Sequence, residues 1–325
     1  MASIVRPNGA DPTVKRAGRA NTLLAAAPAA ALLLLPDGGG ALAHGPMPLT
    51  PDRAWTSWTS WSLAPEVVLP LLLVGWLYGR GLAALWSRAG ALRGVGPWQV
   101  ASFAAGWVAL AVALVSPLDG MAGALASAHM VQHMILLVVA PPLLLLGNPA
   151  VPMLWALPAS WRGALGRLPR RGPLALAWDG LSRPMVAAAL YGAAIWIWHL
   201  PGPYQAALAS PALHAFEHAT LLVAGLIYWH RLIAPLRRSE FGHGGATISV
   251  VLSMIHTGLL GALLTFARRP WYPAYAPWPE AWGLTLLEDQ QLAGLIMWVP
   301  MNLLYLIAAL ALMAHWLRLA ERQPR

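Results

Sequence analysis

The chain has 325 residues, of which 58% are hydrophobic and only 10% are charged, and this balance excludes an ordinary water-soluble globular protein. Cysteine is absent, which excludes disulfides and thiolate sites, so any metal must be bound by His, carboxylate or Met. The net charge of +9 comes from Arg-bearing segments between apolar stretches. This arrangement favours a role for Arg in membrane topology and gives no basic domain for nucleic acid.

The N-terminus predicts a secretory signal peptide over residues 1–43. Basic residues precede an apolar run over residues 23–35, and the segment ends on the A-x-A cleavage pattern at Ala43. An uncleaved signal-anchor is the alternative. Cleavage after Ala43 would expose His44, whose α-amine and imidazole together can bind copper as a histidine brace. In either case we expect residues 44–64 to lie on the outer face.

Seven apolar stretches follow and predict an all-α integral membrane bundle of about seven transmembrane helices over residues 65–317. The stretches cover residues 65–86, 98–117, 126–147, 184–199, 213–234, 246–267 and 291–316. Arg is concentrated after the first, third and fifth stretches and in the tail 318–325. The positive-inside rule therefore predicts an outer N-terminus and a cytoplasmic C-terminus, with Arg268 and Arg269 as exceptions. The linker 148–183 shows no strong periodic pattern.

Five His residues are expected together at the outer end of this bundle. His129 and His133 lie four residues apart near the start of the third stretch, and His214 and His218 repeat this spacing in the fifth. Residues four apart share one helix face, so each pair can present two imidazoles to one point. His199 ends the fourth stretch at a similar depth. Imidazoles without thiolate suit copper, zinc, iron or nickel, and structural hydrogen bonding between helices is the alternative.

Other polar residues are secondary candidates, as ligands, as partners that orient the imidazoles or as proton acceptors. His256, near the middle of the sixth stretch, is either a proton relay or a buried hydrogen-bond partner. Met130 and Met134 would favour Cu(I), but they point to another helix face than the His pair and are expected to pack in the core. The remaining secondary candidates are the carboxylates Asp119, Glu217, Glu288 and Asp289.

Several ordered motifs resemble the CtaG-type membrane family of cytochrome c oxidase assembly factors. They are HMVQH at 129–133, APPLLLLGNP at 140–149, WHLPGPY at 198–204, ALHAFEH at 212–218 and EDQQLAGLIMWVP at 288–300. The resemblance implies a helical bundle in the bacterial plasma membrane that is required to mature a haem-copper oxidase and is not an enzyme. Its motif residues map onto His129, His133, His199, His214, His218, Glu288 and Asp289.

The resulting hypothesis is that the outer His residues capture copper from a periplasmic donor and deliver it to an oxidase subunit within the bilayer.

One alternative is a membrane b-type haem protein with two His on facing helices as axial ligands. Another is a copper or proton-coupled transporter. A transport path needs polar residues across the whole membrane, and His256 is the one candidate expected below the outer half of the bilayer. The sequence contains no nucleophile–base motif, phosphate loop or zinc-protease motif that would predict an enzyme.

Overall fold

The computed structural model describes residues 50–54, 61–167, 172–181, 183–237 and 243–321. The predicted signal peptide over residues 1–43, His44 and most of the segment 44–64 lie outside these described residues. All regular structure in the described parts of the chain is helical. The predicted all-α fold class is therefore confirmed.

The α-helices are numbered here in chain order, and many of them begin at proline, whose fixed φ and missing N–H suit the first helical position. They are α1 (Pro51–Ala54), α2 (Pro65–Ala89), α3 (Pro97–Val115), α4 (Pro117–Ala122), α5 (Ala126–Met134), α6 (Ala140–Leu146), α7 (Ala150–Ala156), α8 (Ala159–Arg167), α9 (Pro173–Leu181), α10 (Pro184–His199), α11 (Pro201–Ala209), α12 (Pro211–Arg237), α13 (His243–Thr265) and α14 (Leu286–Glu321). A π-helical segment, Ile135–Val139, joins α5 to α6. Two 3-10 turns, Pro273–Tyr275 and Trp278–Trp282, lie in the loop 266–285 between α13 and α14.

Five helical segments of the described chain are long and apolar enough to cross a membrane: α2, α3, the run from α5 through α6, α13 and α14. A sixth span results if α10 and α11, which meet at a bend of 71°, count as one. The membrane bundle is confirmed, but the predicted number of seven is not reached by this measure. The predicted stretch 213–234 lies in α12, which is 27 residues long and carries polar residues that lower its mean hydropathy.

The proline pair of the third stretch, Pro141 and Pro142, follows directly after the π-helical segment. Pro141 has no N–H, so the carbonyl of Leu137 loses the donor that it would normally find four residues later. Trp229 of α12 donates its indole N–H to this carbonyl at 2.8 Å. The interrupted helix is thus tied to α12 at the point where its own hydrogen bonding fails.

The linker 148–183, predicted without periodic structure, contains the short helices α7, α8 and α9. Helices of seven to nine residues complete fewer than about three turns, which is too short for a clear hydrophobic period. Asn148 has a positive φ of 51°, which turns the chain after α6. Helix α7 then packs closely on α2, since a Cβ on Gly81 would lie only 1.7 Å from the carbonyl oxygen of Pro152.

One end of the bundle collects the segments on which the predicted His residues lie. Contacts between side chains place the start of α5, the end of α10, the start of α12 and the loop 266–285 together at this end. Helix α5 packs against α14, and α10 packs against α12 and α13. The positive-inside rule predicts that this end faces outside.

Helices α13 and α14 cross closely at Gly261 and Gly294. A Cβ on Gly294 would lie 2.6 Å from the backbone nitrogen of Thr265 and 2.7 Å from the carbonyl oxygen of Gly261. Small residues of this kind allow membrane helices to approach each other.

We expect Gly294→Ala to lower the free energy of unfolding by about 1–3 kcal/mol, the usual cost of overpacking a close contact. Gly79→Ala in α2 is the matched control, because a Cβ there meets nothing within 4 Å. Because Ala favours the helix over Gly by roughly 0.5–1 kcal/mol, Gly79→Ala should not lower the free energy of unfolding. The free energy of unfolding of both detergent-purified variants is measured by SDS titration. Equal stability of Gly294→Ala and wild type would contradict the close crossing.

Candidate metal site

The five predicted His residues meet in one place. Helix α5 supplies His129 and His133, α10 ends on His199, and the first turns of α12 supply His214 and His218. Each is at most 7% exposed. The rings of His214 and His218 lie 4.0 Å apart between centroids, those of His129 and His133 lie 4.4 Å apart, and 5.2 Å separates His129 from His214. The two i, i+4 pairs therefore face each other across the contact between α5 and α12.

Glu217, a secondary candidate from the sequence, lies among these imidazoles. Its side chain is fully buried, with Oε1 3.4 Å from His133 Nε2 and Oε2 3.8 Å from His129 Nε2. Neither oxygen accepts a hydrogen bond from a described residue. One ligand atom from each of His129, His214, Glu217 and His218 lies within 4.8 Å of the other three. We call these four residues together with His133 and His199 the His–Glu cluster.

His199 borders the cluster beside His133, with 5.3 Å between the ring centroids. Its Nδ1 donates a hydrogen bond to the carbonyl oxygen of Ile195 at 2.6 Å, because a carbonyl oxygen can only accept. A neutral His199 therefore carries its lone pair on Nε2, which has no hydrogen-bond partner among the described residues. His133 and His199 extend the cluster beyond the four-residue set.

Three buried tyrosines close the cluster on one side. The Tyr275 hydroxyl lies 2.9 Å from His129 Nδ1 and 3.0 Å from the Tyr204 hydroxyl. Tyr272 donates to the backbone carbonyl of His199 at 2.8 Å, and its ring stacks on Tyr204 at 4.0 Å. Burial raises the pKa of Tyr272 and of Tyr275 above the ordinary tyrosine value. Both hydroxyls therefore keep their protons and can donate.

Sequence reasoning did not select these tyrosines. Tyr204 ends the motif 198–204, which contains His199, so its place in that motif was an available signal. Tyr272 and Tyr275 lie in the loop 266–285, where no periodic pattern relates them to His129. Only the tertiary structure brings them to the site.

Asp289 lies next to the site and caps the helix that carries two of its imidazoles. One carboxylate oxygen accepts from the backbone N–H of Ala126 at 2.7 Å. The other accepts from the N–H of Ser127 at 3.1 Å and from its hydroxyl at 2.5 Å. An acidic side chain at a helix N-terminus satisfies donors that have no partner within the helix and suits the helix dipole. Asp289 thus holds α5 three residues before His129.

Asp119 and Glu288 lie outside the four-residue set. Asp119 is buried and accepts from the Gln132 side chain at 3.0 Å, and the same amide nitrogen donates to the Ala113 carbonyl at 2.7 Å. Asp119 therefore fixes a residue between the two imidazoles of α5. Glu288 is exposed and accepts from the N–H and hydroxyl of Thr285, at 2.8 Å each. It caps the start of α14 and does not reach the cluster.

Three further residues of the apolar stretches, His256, Met130 and Met134, are not part of the cluster. His256 on α13 packs against Gly192 of α10, about two turns along α10 from His199. Met130 and Met134 are buried in the hydrophobic core. The structure does not bring His256 into the group of ligand atoms.

The donor set fits a single metal ion. A buried carboxylate without a hydrogen-bond donor is costly as a free anion, and a bound cation would offset that cost. Imidazole and carboxylate ligands suit copper, zinc or iron. The imidazoles contact one another directly, with ring centroids 4.0–4.4 Å apart within each pair and 5.2–5.6 Å apart between the two pairs. This packing suits an ion between the rings better than a haem macrocycle.

Comparison with known proteins relates the chain to a described family. The family model for the cytochrome c oxidase caa3 assembly factor (Caa3_CtaG) matches residues 76–319. An uncharacterized protein of Mycobacterium bovis is 28% identical over 302 residues, which cover 86% of this chain and 43% of that protein. An uncharacterized protein of Mycobacterium leprae is 27% identical over 289 residues, covering 85% of this chain and 42% of that protein. The chain thus spans less than half the length of these relatives. No solved structure matches.

We expect Asp289→Ala to lower the free energy of unfolding by about 1–3 kcal/mol, because it leaves buried N–H groups at the start of α5 without an acceptor. Glu288→Ala is the control one residue away, and it should cost less because Glu288 is exposed and water can replace it as the acceptor at the start of α14. SDS titration of both purified variants measures the difference. A Glu288→Ala variant that is the less stable of the two would contradict the role assigned to Asp289.

Proposed function

Since the chain belongs to the cytochrome c oxidase caa3 assembly factor family, we propose that it binds copper in the His–Glu cluster and delivers it to the catalytic subunit of the oxidase. Membership in an assembly-factor family favours a role without catalysis of its own. The partners of this proposal are the oxidase subunit within the bilayer and a copper donor on the outer side.

The observation that carries the proposal is the group of four buried ligand atoms from His129, His214, Glu217 and His218, all within 4.8 Å of one another. Three imidazoles and a carboxylate form a nitrogen and oxygen donor set. Among the divalent first-row metals, such sets bind Cu²⁺ most strongly. An assembly factor for a copper-containing oxidase would use this preference to hold its cargo.

The two remaining imidazoles support delivery as well as binding. His133 contacts Glu217 at 3.4 Å, and His199 lies beside His133. An ion leaving the four-residue set would meet these imidazoles next, so ligands can exchange one at a time. Stepwise exchange avoids the full cost of stripping all ligands from the ion at once.

The alternatives from the sequence have less support. A haem between the pairs would require the contacting rings to separate by the thickness of the macrocycle. A transport path would require polar groups at successive depths, and His256 lies against α10 away from the cluster.

We expect detergent-purified wild type to hold stoichiometric copper after loading, under oxidising or reducing conditions. The double variants His129→Ala/His133→Ala and His214→Ala/His218→Ala should both lose it, because each removes at least one ligand of the four-residue set. His315→Ala, near the other end of α14, is the control and should retain copper. Elemental analysis after desalting gives the content. An equal copper content per protein in wild type and both double variants would contradict the proposed site.

Delivery is tested in a bacterial host that lacks its own caa3 assembly factor. Wild type should restore oxidase activity in isolated membranes, whereas both double variants should not, although they are inserted at equal levels. Full restoration by the double variants would separate oxidase assembly from the His–Glu cluster and reject copper delivery as its basis.

A further inference from the structure

A chain of buried hydrogen-bonding groups leads from the loop 266–285 into the His–Glu cluster. Its members are His129 Nδ1, the Tyr275 hydroxyl and the Tyr204 hydroxyl, joined by contacts of 2.9 and 3.0 Å. Tyr204 and Tyr275 are at most 1% exposed. Bulk water therefore does not compete for these hydroxyls, and each depends on partners within the protein.

The Tyr275 hydroxyl has one proton and lies between two partners. It can donate to His129 Nδ1 and accept from Tyr204, or it can accept from His129 Nδ1–H and donate to Tyr204. In the first arrangement a neutral His129 carries its proton on Nε2, the nitrogen that faces Glu217. In the second arrangement Nε2 carries the lone pair. Only the second arrangement allows Nε2 to bind a metal ion.

We propose that Tyr275, supported by Tyr204, is a positioning residue that selects the metal-binding tautomer of His129. This inference rests on the proposed copper site. Imidazoles that bind metals generally donate their other N–H to a neighbouring acceptor, which fixes the ring and its tautomer. Here the acceptor is a hydroxyl, which can also donate. The direction of the hydrogen bonds can therefore reverse when the ion leaves.

The reversed direction turns an N–H of His129 towards the buried carboxylate of the empty cluster. With the proton on Nε2, His129 directs an N–H towards Glu217 Oε2, 3.8 Å away, while Tyr275 donates to Nδ1. With an ion bound, Nε2 and Glu217 both turn lone pairs to the metal, and Nδ1–H donates to Tyr275. The change moves one proton of His129 from Nε2 to Nδ1 and rotates the hydroxyls of Tyr275 and Tyr204, so these three residues hold the same number of protons in both states.

His199 shows the contrasting arrangement. Its Nδ1 donates to the carbonyl oxygen of Ile195, which cannot donate in return. The lone pair of a neutral His199 is therefore always on Nε2. His129 has a reversible partner and His199 a fixed one, although both border the same cluster.

The α14 helix holds the tyrosine-bearing loop in place. Gln290 accepts a hydrogen bond from the backbone N–H of Trp271 at 2.5 Å, and Gln291 donates to the carbonyl of Ala267 at 3.1 Å. Tyr272 in this loop donates to the backbone carbonyl of His199 and not to an imidazole nitrogen. Tyr272 therefore shares the loop, the residue type and the burial of Tyr275 but not its proposed role.

The test compares Tyr275→Phe, Tyr204→Phe and Tyr272→Phe in the full-length protein with Cu(II) as the probe. Tyr275→Phe should weaken Cu(II) binding by roughly 10–100-fold, the usual effect of removing the partner of a ligating imidazole. Tyr204→Phe should also weaken it, because Tyr275 then donates its proton to His129. Tyr272→Phe should bind close to wild type. Chelator competition gives the affinities, and electron paramagnetic resonance should show one fewer coupled nitrogen in Tyr275→Phe.

The outcomes separate this inference from the proposed function. Wild-type affinity and an unchanged nitrogen count in Tyr275→Phe would overturn the inference and leave the copper site standing. Equal weakening in Tyr275→Phe and Tyr272→Phe would also overturn it, since loop packing would then account for the loss. A wild-type protein that binds no Cu(II) would overturn the copper site and the inference together. SDS titration of the same samples excludes unfolding as the cause of a lost affinity.

Discussion

The Glu217 carboxylate is fully buried among imidazoles and accepts no hydrogen bond from a described residue, and this placement constrains the whole end of the bundle. Removing an ion from water costs several kcal/mol even after the protein relaxes. A buried carboxyl group of this kind is balanced by partners of opposite charge or by a metal ion, or it takes up a proton. The imidazoles around it must therefore come from helices held at fixed separations. The close packing of the bundle holds these helices at those separations.

The fixed separations are produced by polar contacts at the ends and interruptions of the helices. Asp289 caps α5 from α14, which sets the depth of His129. Trp229 binds the carbonyl released by Pro141, which ties the same continuous span to α12. The two helices that carry four of the imidazoles are thus joined by a bond in the middle of the bundle, while α14 holds the end of one of them. In an apolar surrounding these few hydrogen bonds have no competition from water.

The parts of the site that follow from local periodicity were predictable, and the parts that depend on tertiary contacts were not. The pairing of His129 with His133 follows from helix geometry alone, and the depth of His199 follows from the order of the spans. Glu217 lies three residues after His214, a spacing that already placed it on the same face. Glu288 and Asp289 are adjacent in sequence but differ by about 100° around the helix, so one is exposed and the other is buried. The loop that carries Tyr275 has no period that could relate it to His129.

A site that delivers its ion differs from a permanent metal site in how it treats the empty state. In a permanent site, fixed acceptors hold every ligand in its binding form, so the empty site is poorly satisfied and the ion is retained strongly. Reversal of the hydrogen bonds at Tyr275 would stabilise the empty cluster, because His129 could then direct its Nε2–H to Glu217. Stabilisation of the empty state subtracts directly from the binding free energy, since affinity measures only the difference between the two states. The fixed tautomer of His199 would meanwhile keep one imidazole ready for the next ion. Under the proposed function, a cluster that combines one reversible and one fixed imidazole could therefore bind copper and still release it.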